Sequence, residues 1–210
     1  MKRMKKMMLV LLIVSLFILP AGGAALSGQG EVSDQGMQYV PGSVPAGTGM
    51  AETMTPALHG MVLAMLNRNV SAFDPDDSEL AWESLYNMLS LYGQLDSRAQ
   101  EENEVLIVPV ETAADYSAAL NLSLQKLGSC PTSLADRLRC NKGEGVYTLA
   151  CGSDDLAQLR LLDVRPLGGG VQVSGALVYL VDGTELARFQ AEIQPQDTMF
   201  GCAVTALTLA

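Results

Sequence analysis

Residues 171–183 read VQVSGALVYLVDG, and this stretch decides the fold class. Val171 and Val173 alternate with polar residues, which is the two-residue period of a strand with one solvated face. From Ala176 onward the run is apolar on both faces, so we expect this half of the strand to be covered. Gly175 lies where the pattern changes, and a strand bend or bulge is predicted there.

The Asp182-Gly183 pair that follows is the sharpest hairpin signal in the chain, because both positions tolerate a positive φ. Apolar runs separated by turn residues on either side predict an antiparallel meander of four to five strands. The predicted strands are residues 146–151, 156–167, 171–181, 186–193 and 199–209.

Helical patterns precede these strands. Thr55-Pro56 predicts the cap and first residue of one amphipathic helix. The acidic segment 74–77, which contains Pro75, predicts the start of a second helix, and Gly93 predicts its end.

A third amphipathic helix is predicted from the cap at Thr112 to Gly128, after a short extended segment at residues 105–110. Helices followed by an antiparallel meander are typical of the α+β class. We therefore expect one α+β domain at residues 53–210, with the helices of residues 55–128 packed on one face of a curved sheet at residues 145–210.

The N-terminus has the three parts of a secretory signal peptide. Residues 2–6 contain four basic side chains, residues 9–19 are almost continuously apolar, and residues 21–25 are small. About a dozen apolar residues are too few to cross a bilayer, so we expect cleavage after Ala24 or Ala25 rather than an uncleaved anchor. The mature protein is then predicted to be secreted or held at the cell envelope, with no stable membrane span.

Residues 26–52 are rich in Gly, Ser, Gln and Pro, lack apolar periodicity and are predicted to be a flexible tether. Removal of residues 1–25 leaves nine basic and twenty-three acidic side chains, a formal charge of −14. Because nucleic-acid binding depends on Lys and Arg contacts with phosphates, that function class is excluded. No cofactor is predicted.

The four cysteines are Cys130, Cys140, Cys151 and Cys202. An even count in an exported chain allows two disulfides, and we expect Cys130 with Cys140 and Cys151 with Cys202. Buried free thiols are the alternative. No two of the cysteines have the close spacing of a zinc site, so no metal centre is predicted.

His59 is the only histidine, and it falls early in a predicted helix without a nucleophile motif, which indicates an ordinary surface or boundary residue. The acidic cluster at residues 74–79 lacks the Gly and the final Glu of a calcium loop. Helix capping explains this cluster better, because carboxylates favour the positive end of a helix.

The order of elements over residues 54–210, the third helix and the bend at Gly175 resemble the cystatin-like class, which includes nuclear transport factor and ketosteroid isomerase domains. The chain also resembles exported proteins of anaerobic gut bacteria. The similar segments are Phe73-Asp74-Pro75, Trp82, Leu91-Tyr92-Gly93 and Met199-Phe200-Gly201.

The resemblance implies that an enzyme of this class would need a carboxylate base and hydrogen-bond donors inside an apolar cone. Asp115, Tyr147 and Tyr179 are the candidates for such a pocket, although core packing explains both tyrosines as well.

The sequence thus predicts a non-enzymatic binding or accessory module of the cell envelope. A small curved-sheet enzyme is the first alternative, and a structural domain that pairs with a partner chain is the second.

Overall fold

A computed structural model of the chain describes residues 47–141, 143–152 and 156–210. The predicted signal peptide and most of the predicted tether lie outside these residues. The described residues fall within one unit, Ser43–Ala210, and share one hydrophobic core.

The helices are α1 (Thr48–Thr53), α2 (Thr55–Arg68), α3 (Ser78–Tyr92) and α4 (Val110–Ala119). The strands are β1 (Gln100–Glu102), β2 (Val105–Pro109), β3 (Leu138–Asn141), β4 (Val146–Ala150), β5 (Ala157–Leu167), β6 (Gly170–Tyr179), β7 (Glu185–Pro195) and β8 (Cys202–Leu209). Among the described residues, each helix is too short or too polar to cross a bilayer.

The predicted start of the second helix is confirmed. Asp77 caps α3, because its carboxylate accepts hydrogen bonds from the backbone N–H groups of Glu79 (3.0 Å) and Leu80 (3.1 Å). Asp74 accepts from the backbone N–H of Asp76, and Glu79 forms an ion pair with Arg68 at 2.8 Å. The acidic cluster is therefore used in helix capping and a surface ion pair.

Two helices differ from the prediction. Residues 48–52, assigned to the tether, lie in α1. The third predicted helix begins earlier, at Val110, so Thr112 lies inside it and is not its cap. It also ends early, at Ala119, because Asn121 adopts a left-handed conformation (φ 57°). The N–H of Leu122 then bonds to the carbonyl of Ser117, which closes the helix in the pattern of a Schellman motif.

The prediction of a single meander is wrong, because the strands form two four-stranded antiparallel sheets. The first has the order β1-β2-β4-β3, and the second has the order β5-β6-β7-β8. Strand β4 pairs with β2 rather than with β5, in a register that sets Leu106 opposite Leu149 and Val108 opposite Tyr147. All four of these side chains are buried, so the apolar segment after Glu104 gives β4 its partner.

The second sheet matches the predicted meander closely. Gly175 lies opposite Leu161, and the register shifts directly after that pair, so the bulge is in β5 rather than in β6. The missing side chain at Gly175 leaves room for the ring of Phe189 on the neighbouring strand. Two further register shifts occur between β6 and β7 and between β7 and β8, and such bulges bend and twist a sheet.

Helices α2 and α3 lie antiparallel and make a close backbone contact at Gly60. A Cβ atom at this position would lie 2.8 Å from the carbonyl oxygen of Ser84 and 2.9 Å from the backbone nitrogen of Met88. The side-chain amide of Asn87 donates to the carbonyl of Gly60 at 3.3 Å. Only glycine allows this approach.

Gly60→Ala is expected to lower the free energy of unfolding by about 1–3 kcal/mol, the usual effect of overpacking, although alanine is the better helix former. Gly49→Ala in α1 is the control, because a Cβ atom there meets nothing within 4 Å. Urea unfolding of both variants tests this, and equal stability of the two variants would contradict the close contact.

Candidate functional site

The largest described cavity has a volume of about 770 Å³ and lies where α2, α3, the β1–β2 turn and the start of β5 meet. This volume is within the range of small-molecule sites. The lining residues are Thr55, His59, Leu91, Tyr92, Gln94, Glu101, Glu104, Cys151, Gly152, Ala157, Gln158 and Leu159.

His59 and Tyr92 form one wall of this cavity. The Nδ1 atom of His59 lies 2.8 Å from the hydroxyl of Tyr92, and the two rings meet edge to face with centroids 5.9 Å apart. His59 is only 4% exposed, so it is a buried boundary residue and not a surface one. Thr55 lies one helical turn before His59, on the same face of α2.

Hydrogen bonds between distant segments hold the other walls. The hydroxyl of Ser90 on α3 donates to the carbonyl of Ala150 at 3.0 Å, and the N–H of Gly152 donates to the carbonyl of Ser90 at 3.3 Å. The N–H of Cys151 donates to the carbonyl of Glu104 at 3.1 Å. The end of β4 is therefore fixed both to α3 and to the β1–β2 turn.

Two carboxylates of the β1–β2 hairpin, those of Glu101 and Glu104, line the cavity. Asn103 and Glu104 both have a positive φ, 52° and 66°, as a two-residue hairpin turn of type I′ requires. Glycine is favoured at the second of these positions, so a glutamate there is strained. Glu101 lies on β1 and also lines the cavity.

The pKa of the Cys151 thiol depends on its burial and on the negative charges around it. Its pKa is raised, first by burial and then by the negative charges of Glu101 and Glu104. The thiol is therefore protonated at neutral pH and is a poor nucleophile and a poor metal ligand. Within the described ranges, no three His, Cys, Asp or Glu side chains are grouped as a metal site would require.

The structure places the predicted pocket residue Asp115 elsewhere. Its carboxylate lies 2.7 Å from Arg98, which also binds Asp96 through two hydrogen bonds. Arg98 holds the pKa of Asp96 below its usual range. Asp115 thus belongs to a surface ion-pair network, where it is partly exposed.

Tyr147 and Tyr179 are likewise separate from the cavity. Tyr147 is buried and packs against Trp82 with ring centroids 5.9 Å apart, and burial, with Cys140 and Cys130 nearby, raises its pKa to about 12. Tyr179 ends β6 opposite Ala157 and is half-buried. The structure brings Asp115, Tyr147 and Tyr179 together in none of the five cavities that it describes.

All four cysteines are free thiols in this structure, so it contains neither the predicted Cys130–Cys140 disulfide nor the predicted Cys151–Cys202 disulfide. Cys130 and Cys140 are near one another, since the sulfur of Cys130 contacts the carbonyl of Leu138 at 3.9 Å, two residues before Cys140 on β3. Cys140 is exposed and Cys130 is half-buried.

The predicted pairing of Cys151 with Cys202 is wrong for this fold. Cys202 lies at the end of the second sheet where β5 finishes with Leu167, whereas Cys151 lies at the cavity beside Leu159. The eight residue steps along β5 from Leu159 to Leu167 span roughly 26 Å. A disulfide needs Cα atoms within about 7 Å of each other.

Peptide mapping of the unreduced protein is expected to find no peptide that links Cys151 to Cys202. Alkylation of the native protein should modify the exposed Cys140 first and Cys202 last, because Cys202 is buried and its pKa is raised by burial. A Cys151–Cys202 link would contradict the strand register of the second sheet.

Sequence patterns missed Tyr92, Glu101 and Glu104 as site residues. The i,i+4 spacing of Thr55 with His59 on α2, and of Met88 with Tyr92 on α3, was a usable signal for one wall. The Asn103-Glu104 turn gave no such signal, because it lacks the glycine typical of a hairpin.

Comparison of the chain with protein-family models, with curated proteins and with solved structures finds no match. The cystatin-like resemblance stays a prediction.

Proposed function

We propose that this protein is an exported, non-enzymatic binding module that takes up a small molecule in the cavity beside His59 and Tyr92. One observation carries the proposal: a cavity of about 770 Å³ has in its wall a hydrogen bond between the buried His59 and the half-buried Tyr92. Sites of this size with a few fixed polar groups are typical of small-molecule binding. The N-terminal signal pattern supports an extracellular or envelope location.

The chemistry of the walls favours binding over catalysis. The Cys151 thiol is held in its protonated form by burial and by two carboxylates, which is the opposite of what a nucleophilic cysteine requires. Asp115 pairs with Arg98, and Tyr147 packs against Trp82, so neither is arranged as the curved-sheet enzyme alternative requires.

One observation favours the partner-pairing alternative as a second candidate. Strand β5 is an eleven-residue edge strand, and Leu162 at its bulge is 54% exposed. The bulge, the charged residues Asp163 and Arg165, and Pro166 are features that blunt a sheet edge against strand addition. Strand addition is therefore the weaker of the two functions.

A blocking substitution tests the proposed site. Gln158 is exposed at the rim of the cavity, and Gln158→Trp is expected to fill the opening. Fragment screening of the full chain by two-dimensional NMR should find hits that shift the lining residues, and these shifts should be lost in the variant.

Gln190→Trp is the matched control, because Gln190 is exposed on β7 and does not line this cavity. It should keep the fragment shifts of the unmodified protein. Hits that cluster elsewhere, or hits that persist in Gln158→Trp, would show that the cavity is not the binding site.

A further inference from the structure

The charged side chains described at the cavity are carboxylates. Glu101 and Glu104 contribute carboxylates, and apart from His59 no basic side chain is among the described lining residues. Arg98, close to the turn in sequence, is held by Asp96 and Asp115. Arg160 follows the lining residue Leu159 on β5 and is exposed, and it is not itself among the described lining residues.

The negative charges of Glu101 and Glu104 act on Cys151, which also lines the cavity. Glu101 and Glu104 both contribute to the raised pKa of Cys151, a residue on the neighbouring segment. The two carboxylates therefore act on the same space as the Cys151 thiol. Both carboxylates would repel an anionic ligand and attract a cationic one.

Glu104 holds a strained backbone conformation at the cavity. Its left-handed backbone conformation (φ 66°) is one that glycine adopts without strain. Strained residues that persist in a fold are concentrated at binding and catalytic sites.

We propose that the cavity binds a small organic cation, a molecule with a protonated amine or a similar positive head group. Glu101 and Glu104 contact the positive charge, and the His59–Tyr92 pair contacts the remainder of the ligand. This inference rests on the proposed function, since it assigns a ligand class to the same cavity.

Three probes of similar size separate charge from shape: benzylamine, benzyl alcohol and benzoate are cationic, neutral and anionic. NMR titration of the full chain should show benzylamine binding at the cavity most tightly and benzoate most weakly. The preference for benzylamine should fall as salt is added, because exposed charges are screened.

Substitution of the carboxylates localises the effect. Glu101→Gln and Glu104→Gln should each weaken benzylamine binding about two- to fivefold, the range for a solvent-exposed ion pair. Glu102→Gln is the matched control, because this exposed neighbour in β1 does not line the cavity, and it should leave the affinity unchanged.

Glu104→Gly separates binding from folding. It should unfold at the same temperature as the unmodified protein or a higher one, because glycine relieves the turn, and it should bind benzylamine as weakly as Glu104→Gln.

The outcomes distinguish the two proposals. Binding of benzyl alcohol or benzoate in the cavity as tightly as benzylamine would overturn the cation assignment and leave the binding site in place. Equal loss of affinity in Glu102→Gln and Glu101→Gln would also overturn it, because the attraction would then come from the acidic surface as a whole. If none of the three probes shifts the lining residues, both proposals fail.

Discussion

The site depends on the contact between α2 and α3 at Gly60. The missing side chain lets the two helix backbones approach, and the amide of Asn87 then bonds to the Gly60 carbonyl. His59 directly precedes this contact, and Tyr92 follows Met88 by one helical turn on the contact face of α3. The hydrogen bond between His59 and Tyr92 is therefore a consequence of how the helices pack.

The far end of the same helix pair is fixed by polar groups. Arg68 near the end of α2 forms ion pairs with Glu79 and Glu83 on α3, and the amide of Asn67 donates to Glu83. Glu83 is buried, whereas Glu79 is exposed, and exposed ion pairs such as Arg68–Glu79 stabilise a protein little. We attribute the precision of the site mainly to the backbone contact and to the buried residues around it.

The cavity joins parts of the chain that are far apart in sequence. The end of β4 is tied to α3 through Ser90 and to the β1–β2 turn through Glu104. These bonds bring two carboxylates to face a helix wall that contains the only histidine of the chain. The arrangement is polar and acidic, and burial and the two carboxylates raise the pKa of the Cys151 thiol.

Local signals in the sequence predicted much of the fold. The helix start at residues 74–77 and the long strands β5–β8 were accessible because each depends on neighbouring residues. The start of α2 was also accessible, although Thr55 is the first residue of α2 and not its cap, which is Met54. The division into two sheets was not accessible, since it depends on β4 pairing with the distant β2.

The site itself was mostly hidden for the same physical reason. His59 was visible as a single residue, but its partner Tyr92 is thirty-three positions away and belongs to another helix. Glu104 was assigned to no predicted helix or strand, because nothing in its immediate sequence marks a type I′ turn. The composition of the site depends on contacts between distant segments, and local sequence patterns do not reveal those contacts.

A crystal structure of the full chain is the most direct measurement of the central claim. We expect an open cavity of several hundred Å³ beside the β1–β2 turn, a volume typical of a ligand site. We also expect Nδ1 of His59 to lie within hydrogen-bonding distance of the Tyr92 hydroxyl. An imidazole of His59 that points to solvent, or a cavity filled by side chains of the protein, would contradict the claim.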